Sequence, residues 1–129
     1  MYGTYYNVTV DEGMRICIPE RLVTQIEEVS GCAGRAVYVA ISHEHEHALY
    51  VFANEGDAIR FFSEDREFGR ADEVGLQGVS RRIIDKKGRL TLPKSMAKQV
   101  SISENTEVCV VGAGSYIEIW NSHVWSKIC

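Results

Sequence analysis

Two aspartate-arginine pairs are the residues of this chain whose types and spacing most clearly suggest chemistry. Asp11 precedes Arg15 by four residues, and Asp85 precedes Arg89 by the same interval. An aspartate at a turn accepts backbone N–H bonds, whereas a guanidinium offers five donors in a planar fork that fits phosphate oxygens or a guanine edge. Each pair therefore either stabilises its own turn, as many weak ion pairs do, or presents its arginine to nucleic acid.

The distribution of charge favours nucleic acid for the second pair. The 129-residue chain has a formal net charge of −4, but residues 1–79 carry −8 and residues 80–129 carry +4. Between Ser80 and Lys98 the net charge is +6, and the basic residues there are Arg81, Arg82, Lys86, Lys87, Arg89, Lys94 and Lys98. Such a patch attracts phosphates even on an acidic protein. A solvated charged face is the alternative that charge alone leaves open.

A third candidate for chemistry is the run of alternating histidines and glutamates at residues 43–47. In a strand, the imidazoles of His43, His45 and His47 would lie on one side at a spacing that could hold Zn²⁺ or Ni²⁺. Exposed histidines without a fourth ligand more often lie in a hairpin loop, and this segment falls between two predicted strands. We therefore expect no resident metal and no other cofactor, and keep metal sensing as an alternative hypothesis.

Motifs for catalysis and export are absent from the sequence. It contains no Gly-x-Ser-x-Gly, no Gly-x-x-x-x-Gly-Lys and no recognisable cysteine-histidine arrangement, so we expect a protein that is not an enzyme. The four cysteines form no Cys-x-x-Cys pair, which favours reduced thiols. No apolar run is long enough to span a bilayer, and the N-terminus does not resemble a signal peptide. We expect a cytoplasmic protein without a membrane segment.

An internal repeat supplies the elements that must position the two pairs. Residues 10–19, VDEGMRICIP, reappear 74 residues later as residues 84–93, IDKKGRLTLP. Apolar residues alternate on both sides of each turn, which predicts two strands paired as a hairpin with the arginine on the polar face. Gly13 and Gly88 are expected to supply the positive φ that such a turn requires.

Each copy continues with the same order of elements. Pro19 and Pro93 suit the first position of a helix, and two apolar strands and a second helix follow. The predicted strands are residues 37–41, 49–52, 108–111 and 116–120, and the predicted closing helices are residues 55–67 and 122–128, with Asn121 or Ser122 as cap. The aromatic residues are expected in the core or at an interface, namely Phe61, Phe62, Phe68, Trp120 and Trp125.

The two copies predict a single domain. We expect residues 1–129 to form one compact unit, with repeat 1 at about 5–68, a linker at about 69–78 and repeat 2 at about 79–129. Each copy alone would expose its apolar face, so the two should pack together. The expected fold class is α+β and mainly β, with pseudo-twofold symmetry.

The second copy, DKKGRLTLP at residues 85–93, resembles the swapped-hairpin motif of AbrB-type DNA-binding proteins. Two copies in one chain, with VCVVG at 108–112, IEIWN at 117–121 and Trp125, resemble the MraZ family across nearly the whole length. The resemblance implies a double AbrB-like barrel of two strand-hairpin-helix repeats with flanking short helices. It also implies a nucleoid-associated transcription regulator that binds repeated operators in double-stranded promoter DNA, typically near division and cell-wall genes, as an octameric or dodecameric homo-oligomeric ring.

Carried over to this chain, the family motif falls on the two aspartate-arginine pairs, whose surface is the expected DNA face. With the neighbouring basic residues, the expected DNA-binding set is Arg15, Arg81, Arg82, Lys86, Lys87, Arg89 and Lys94, and the turns are supported by Asp11, Gly13, Asp85 and Gly88.

The first copy departs from the family pattern. Glu12 replaces a residue that is often basic, and Met14 takes the usual place of glycine. We therefore expect repeat 2 to dominate the affinity, because Glu12 repels phosphate. The alternative is an AbrB-fold protein-interaction module, antitoxin-like or a scaffold, without strong DNA binding.

Overall fold

A computed structural model describes residues 4–30, 35–41, 47–64, 79–114 and 116–128 of the chain. The strands are β1 (Thr4–Thr9), β2 (Arg15–Cys17), β3 (Ala36–Ile41), β4 (Ala48–Phe52), β5 (Val79–Ile83), β6 (Arg89–Thr91), β7 (Glu107–Gly112) and β8 (Tyr116–Asn121). The helices are α1 (Glu20–Ser30), α2 (Glu55–Glu64), α3 (Lys94–Gln99) and α4 (Ser122–Ile128). None of these helices is both long and apolar enough to cross a bilayer.

Strands from the two repeats interlock in one antiparallel sheet of order β1-β7-β8-β4-β3-β5. The first strand of each repeat lies beside a strand of the other repeat, since β1 pairs with β7 and β5 pairs with β3. Exchanging the repeats leaves this order unchanged, so the sheet has a pseudo-twofold axis between β4 and β8. The short strands β2 and β6 pair with each other in a second, two-stranded sheet.

The prediction that the strands flanking each turn pair as a hairpin is wrong. β2 takes its ladder partner from the other repeat, and Ile16 lies opposite Leu90 in that pairing. Both side chains are buried against the large sheet. Alternation of apolar residues reports which face of a strand is buried and not which strand lies beside it. The exchange is of the swapped kind that the AbrB resemblance implied.

Two apolar layers cover the two faces of the six-stranded sheet. On one face, β2, β6, α1 and α3 cover the sheet through side chains such as Ile16, Leu22, Leu90 and Met96. On the other face, α2 and α4 pack against an aromatic layer that includes Tyr50, Phe61, Trp120 and Trp125. Full burial of each large apolar side chain contributes about 1.5–3 kcal/mol. The β2–β6 pair therefore lies on a well-packed base.

The aromatic layer also holds a buried carboxyl group. Glu118 is only 2% exposed and accepts a hydrogen bond from the Trp120 indole Nε1 at 2.7 Å. Burial, followed by the charge of Glu118, raises the pKa of the Tyr116 hydroxyl above its ordinary value. Phe61, Trp120 and Trp125 thus belong to the core, as predicted, whereas the side chains of Phe62 and Phe68 lie outside the described part of the structure.

Most predicted elements are present within a residue or two of their expected ends. The β3–β4 and β7–β8 hairpins are confirmed, as is the α4 cap, where Asn121 Oδ1 accepts the N–H of His123 at 2.8 Å. The prolines precede the helices instead of opening them, and Pro93 has extended angles (φ −65°, ψ 120°). The fold class, α+β and mainly β, is confirmed. The described strands form an open sheet, with β1 and β5 at its two ends.

Candidate nucleic-acid interface

The second turn, residues 85–89, is organised by one carboxylate. Asp85 Oδ1 accepts the backbone N–H groups of Lys87 at 2.9 Å and of Arg89 at 2.8 Å. Asp85 Oδ2 accepts the Arg89 side-chain Nε–H at 2.8 Å. The carboxylate thus closes the turn and orients the guanidinium at the same time, which requires an aspartate four residues before the arginine.

The first turn, residues 11–15, repeats this geometry. Asp11 Oδ1 accepts the N–H groups of Gly13 and Arg15 at 2.8 and 2.9 Å, and Asp11 Oδ2 accepts Arg15 Nε–H at 2.9 Å. In each turn the backbone N–H of the aspartate donates to the carbonyl of the arginine at 3.0 Å. The two motifs are therefore equivalent in backbone and in ion pairing, although their tips differ in sequence.

The residue with positive φ is the fourth of each turn. Gly88 has a φ of 81°, and its equivalent Met14 has a φ of 61°. The prediction that Gly13 supplies the positive φ is wrong, because the Asp11 carboxylate binds the N–H groups of the third and fifth residues and so fixes which residue turns. Left-handed backbone costs a non-glycine residue about 1–2 kcal/mol. Burial of the Met14 side chain, which is 5% exposed, offsets that cost.

Both aspartates are held in their charged form. The pKa of the Asp11 carboxyl is lowered from its ordinary value, chiefly by the hydrogen bond from the Arg15 backbone N–H. The pKa of Asp85 is lowered in the same way, chiefly by the backbone N–H of Arg89. Partial desolvation opposes both effects but does not cancel them. Both aspartate carboxylates are consequently charged over the whole neutral pH range, and each lies next to the guanidinium of its arginine.

Pairing of β2 with β6 brings the two arginines onto one surface, which we call the motif ribbon (Arg15–Cys17 and Arg89–Thr91). Arg15 lies opposite Thr91, and Cys17 lies opposite Arg89. Ile16 and Leu90 face the core, so these four side chains face outward. The arginines occupy diagonal positions of the ribbon, which places their backbones roughly 7–8 Å apart and their Cβ atoms somewhat closer. A pseudo-twofold axis through the ribbon relates them.

The guanidinium groups leave donors available at this surface. In each motif Nε is the atom bound to the aspartate, and the side chains of Arg15 and Arg89 are 39% and 30% exposed. Within the described ranges, the terminal nitrogens of both arginines have no hydrogen-bond partner. The two terminal nitrogens of each guanidinium are therefore available as donors, which is what bidentate recognition requires.

The ribbon is fastened at both ends by the turns of the opposite repeat. The Leu92 N–H donates to the Met14 carbonyl, and the Ile18 N–H donates to the Gly88 carbonyl, each at 2.8 Å. These two bonds are equivalent under the pseudo-twofold axis. Each positive-φ residue thus presents its carbonyl to the neighbouring repeat, and the position of one turn depends on the other.

The remaining predicted DNA-binding residues fall into three places. Lys86 and Lys87 are exposed at the tip of the second turn, and Lys94 is exposed at the start of α3. Arg82 lies opposite Val37 on the ribbon side of β5. Arg81 lies opposite Tyr38 on the aromatic side of the sheet. The structure therefore brings all of these residues except Arg81 toward the ribbon side.

Sequence reasoning missed Arg35. Its Nη1 donates to the Asp85 carbonyl at 2.8 Å, and its Nε donates to Glu27 Oε2 at 3.2 Å. Arg35 thereby holds the second turn from the first repeat and lines a cleft of about 300 Å³ with Lys86 and Lys87. An isolated arginine before a strand in an acidic repeat gives no sequence signal for this role, because its partner lies fifty residues away.

The histidine segment remains largely outside the described residues, since these omit His43 and His45. The ring of His47 stacks on Trp120, with centroids 6.1 Å apart and an interplanar angle of 15°. Among the residues that are described, no group of three histidine, cysteine or acidic side chains could hold a metal ion. His47 is thus engaged with the edge of the aromatic layer.

Comparison with known proteins gives consistent results over both repeats. A family model described as "MraZ protein, putative antitoxin-like" matches residues 76–129. A protein named Transcriptional regulator MraZ from Kocuria rhizophila is 27% identical, over 98% of this chain and 85% of that protein. Proteins of the same name from Micrococcus luteus and Carboxydothermus hydrogenoformans are 28% and 26% identical, over 98% and 100% of this chain and 85% and 87% of theirs.

These relatives carry the name of a regulator and not of an enzyme, which confirms the prediction that the chain is not an enzyme. The family model matches the repeat that carries the second turn and most of the positive charge. The relatives extend the match to the first repeat, with its modified turn. The chain is thus similar to proteins of the MraZ family over both of its repeats.

Proposed function

We propose that this chain is a transcription regulator that binds double-stranded promoter DNA through the motif ribbon. The observation that carries the proposal is the pairing of β2 with β6, which sets Arg15 and Arg89 on one outward face. Each guanidinium is oriented by an aspartate through Nε and keeps its terminal donors available. The function also agrees with the name of the relatives.

The dimensions of the ribbon suit the major groove of DNA. That groove admits a two-stranded ribbon, and its guanine edges accept bidentate bonds from arginine. The diagonal separation of roughly 7–8 Å between Arg15 and Arg89 corresponds to about two base steps at 3.4 Å each. The two arginines would therefore read bases about two steps apart, on a scaffold whose symmetry resembles that of a DNA dyad.

Lysines around the ribbon would position the protein without reading sequence. Lys86 and Lys87 extend from the second turn, where they can reach the phosphates that border the groove. The first turn carries Glu12 and Gly13 at the equivalent positions, so it would approach phosphate less closely. The second repeat should contribute most of the affinity. Arg82 and Lys94 complete the basic side of the ribbon, whereas Arg81 lies on the other face of the sheet.

One ribbon offers few base contacts, so affinity would depend on linked binding. We extend the proposal to an octameric or dodecameric ring of chains, each a single domain of two repeats, that engages successive operator repeats. Linked binding raises avidity without new contacts. Such a regulator would act in the cytoplasm at the nucleoid and would control genes of division and cell-wall synthesis.

The test is a mobility-shift titration of the promoter fragment upstream of the protein's own gene over a salt series. Wild-type binding should weaken steeply as salt rises, because each neutralised phosphate releases counterions. Arg89→Ala should lose most of the affinity, whereas Arg60→Ala, a matched removal of an exposed arginine on α2, should lose little. Salt-independent binding, or equal binding by the Arg89→Ala and wild-type proteins, would contradict the proposal.

A second candidate function is a protein-interaction module. It is favoured by the words "antitoxin-like" in the family description and by the net charge of −8 over residues 1–79. An acidic surface on repeat 1 would bind a basic protein partner, and Glu12 would then be favourable instead of opposing. Glu12→Lys separates the two candidates, because it should strengthen DNA binding in the first and weaken partner binding in the second.

A further inference from the structure

We propose that a cleft beside the first turn is a binding site for a phosphate group. The cleft has a volume of about 600 Å³ and lies between the first turn, strand β5 and the beginning of α3. Its walls include Gly13 and Met14 from the turn, Arg82 from β5 and Lys94 from α3. We call it the α3 cleft. The site goes beyond the motif ribbon, and its occupancy can be measured without DNA.

An unsatisfied donor supports this assignment. The Nε of Arg82 is buried, and it has no hydrogen-bond partner among the described residues. A buried N–H of a guanidinium without an acceptor is unfavourable, and a phosphate oxygen is a strong acceptor of suitable charge. A small shift of the Arg82 side chain that exposes Nε to the cleft would therefore let it bind a phosphate oxygen, an acceptor that the described residues do not provide.

The other polar groups of the cleft also favour a phosphate. Lys94 contributes a second positive charge, and Ser80, Thr91 and Ser95 contribute hydroxyl groups. None of the described residues that line the cleft is acidic. A phosphate presents several acceptor oxygens and at least one negative charge, which matches two cations and three hydroxyl donors. The volume exceeds that of a bare phosphate, so it leaves room for an attached group.

The pseudo-twofold axis provides an internal comparison. At the offset of 74 residues, Lys94 corresponds to Glu20, and Arg82 corresponds to Val8. The cleft beside the second turn is smaller, at about 300 Å³, and Glu20 is one of its walls. The fold thus forms a depression beside each turn, and of these two the α3 cleft combines two cations with no acidic residue among its described lining residues. Its charge is a property of these residues and not of the architecture.

Two kinds of molecule could supply the phosphate group. One is the backbone phosphate of DNA bound to the ribbon, and the other is a free phosphorylated molecule. In either case the phosphate would contact the first turn, since Gly13 and Met14 form one wall.

Thermal unfolding of the full chain with inorganic phosphate tests the site. The titration is run against sodium chloride at matched ionic strength, which removes general screening. Phosphate should raise the unfolding temperature of the wild type and of Lys98→Gln, which removes an equal charge from the same helix outside the cleft. Lys94→Gln and Arg82→Gln should each weaken the apparent phosphate affinity about tenfold. Lys94 is exposed, so Lys94→Gln remains informative if Arg82→Gln folds poorly.

Failure of phosphate to stabilise the wild type more than chloride would overturn the proposal. An equal loss in Lys94→Gln and Lys98→Gln would also overturn it, because the effect would then be general charge. Competition of free phosphate with promoter DNA, with a lower salt slope in Lys94→Gln, would assign the site to the DNA backbone. Retention of phosphate stabilisation on the DNA complex would assign it to a free molecule.

Discussion

The two turns of this protein have the same geometry and different surfaces. Their carboxylate bonds agree within 0.1 Å, from Asp11 to its partners and from Asp85 to its partners. Their tips differ, since Glu12 and Gly13 stand where the second turn has Lys86 and Lys87. The backbone and the ion pair are therefore specified by three positions, the aspartate, the positive-φ residue and the arginine. The other two positions are available to set charge.

This separation of roles explains how one scaffold can carry two unequal halves. Each turn supplies a carbonyl that binds the other repeat, through Met14 and through Gly88, so both are needed to hold the motif ribbon. Only the second turn adds positive charge around its arginine. The first turn contributes to the ribbon chiefly by position, and the second contributes by position and by charge.

The largest difference is expected between the two arginines. Arg89→Ala should lower operator affinity about 100-fold, and Arg15→Ala about tenfold, because the loss of a bidentate base contact costs about 1–3 kcal/mol and Arg89 acts in the more cationic turn. Fluorescence anisotropy with a labelled promoter fragment measures both. Equal losses would show that the turns contribute alike and would remove the asymmetry.

Exchange of the tip charge should have the next largest effect. Glu12→Lys copies the second turn at one position, and we expect a gain of several-fold in affinity with a salt slope steeper by about one. The converse, Lys86→Glu, should produce a loss of similar size. The same anisotropy titrations at several salt concentrations provide the measurement. If neither substitution changes the salt slope, the tips do not approach phosphate.

Stability should distinguish the two glycines. Gly88→Ala places a side chain at a φ of 81° and should lower the free energy of unfolding by about 1 kcal/mol. Gly13→Ala should have a smaller effect, because no positive φ is involved and the Arg15 Nε, at 3.1 Å from the new Cβ, needs to shift by only a few tenths of an ångström. Urea denaturation compares the two variants. A larger loss for Gly13→Ala would contradict the assignment of the positive-φ positions.

Acidic pH should lower the stability that both turns contribute to the fold. The pKa values of Asp11 and Asp85 are lowered in the folded protein, so their stabilising contribution is complete above the ordinary carboxyl pKa and is lost as the pH falls through the lowered values. We expect a small loss of stability that begins below about pH 4. Urea denaturation of wild type and Asp85→Asn between neutral and acidic pH checks this, since the variant should lack part of the dependence.

Much of the fold follows from the sequence because its signals are local. The strand limits, the Asn121 cap and the two aspartate-arginine pairs all depend on residues within a few positions of one another, and the repeat is found by comparing two such local patterns. The partner of β2 does not, because alternation around Ile16 is equally compatible with a hairpin and with the exchange between repeats. The support of the second turn by Arg35 was not predictable for the same reason, since it links positions 35 and 85.

The position of the positive φ in the first turn could have been predicted correctly from the sequence. The positive φ at Met14 follows once the turn is counted from Asp11 instead of located by its glycine, since the carboxylate dictates which N–H groups converge. That Arg81 faces away from the ribbon could be known only from the strand pairing, because the charge pattern of the sequence does not distinguish Arg81 from Arg82.

We propose that Arg89 reads bases from the motif ribbon and does more than attract phosphate. The most direct test is Arg89→Lys, measured as the ratio of affinities for the promoter fragment and for a scrambled fragment of equal length. The substitution keeps the charge and removes the planar fork. We predict that affinity for scrambled DNA changes little and that the ratio falls at least about fivefold. An unchanged ratio would contradict the account.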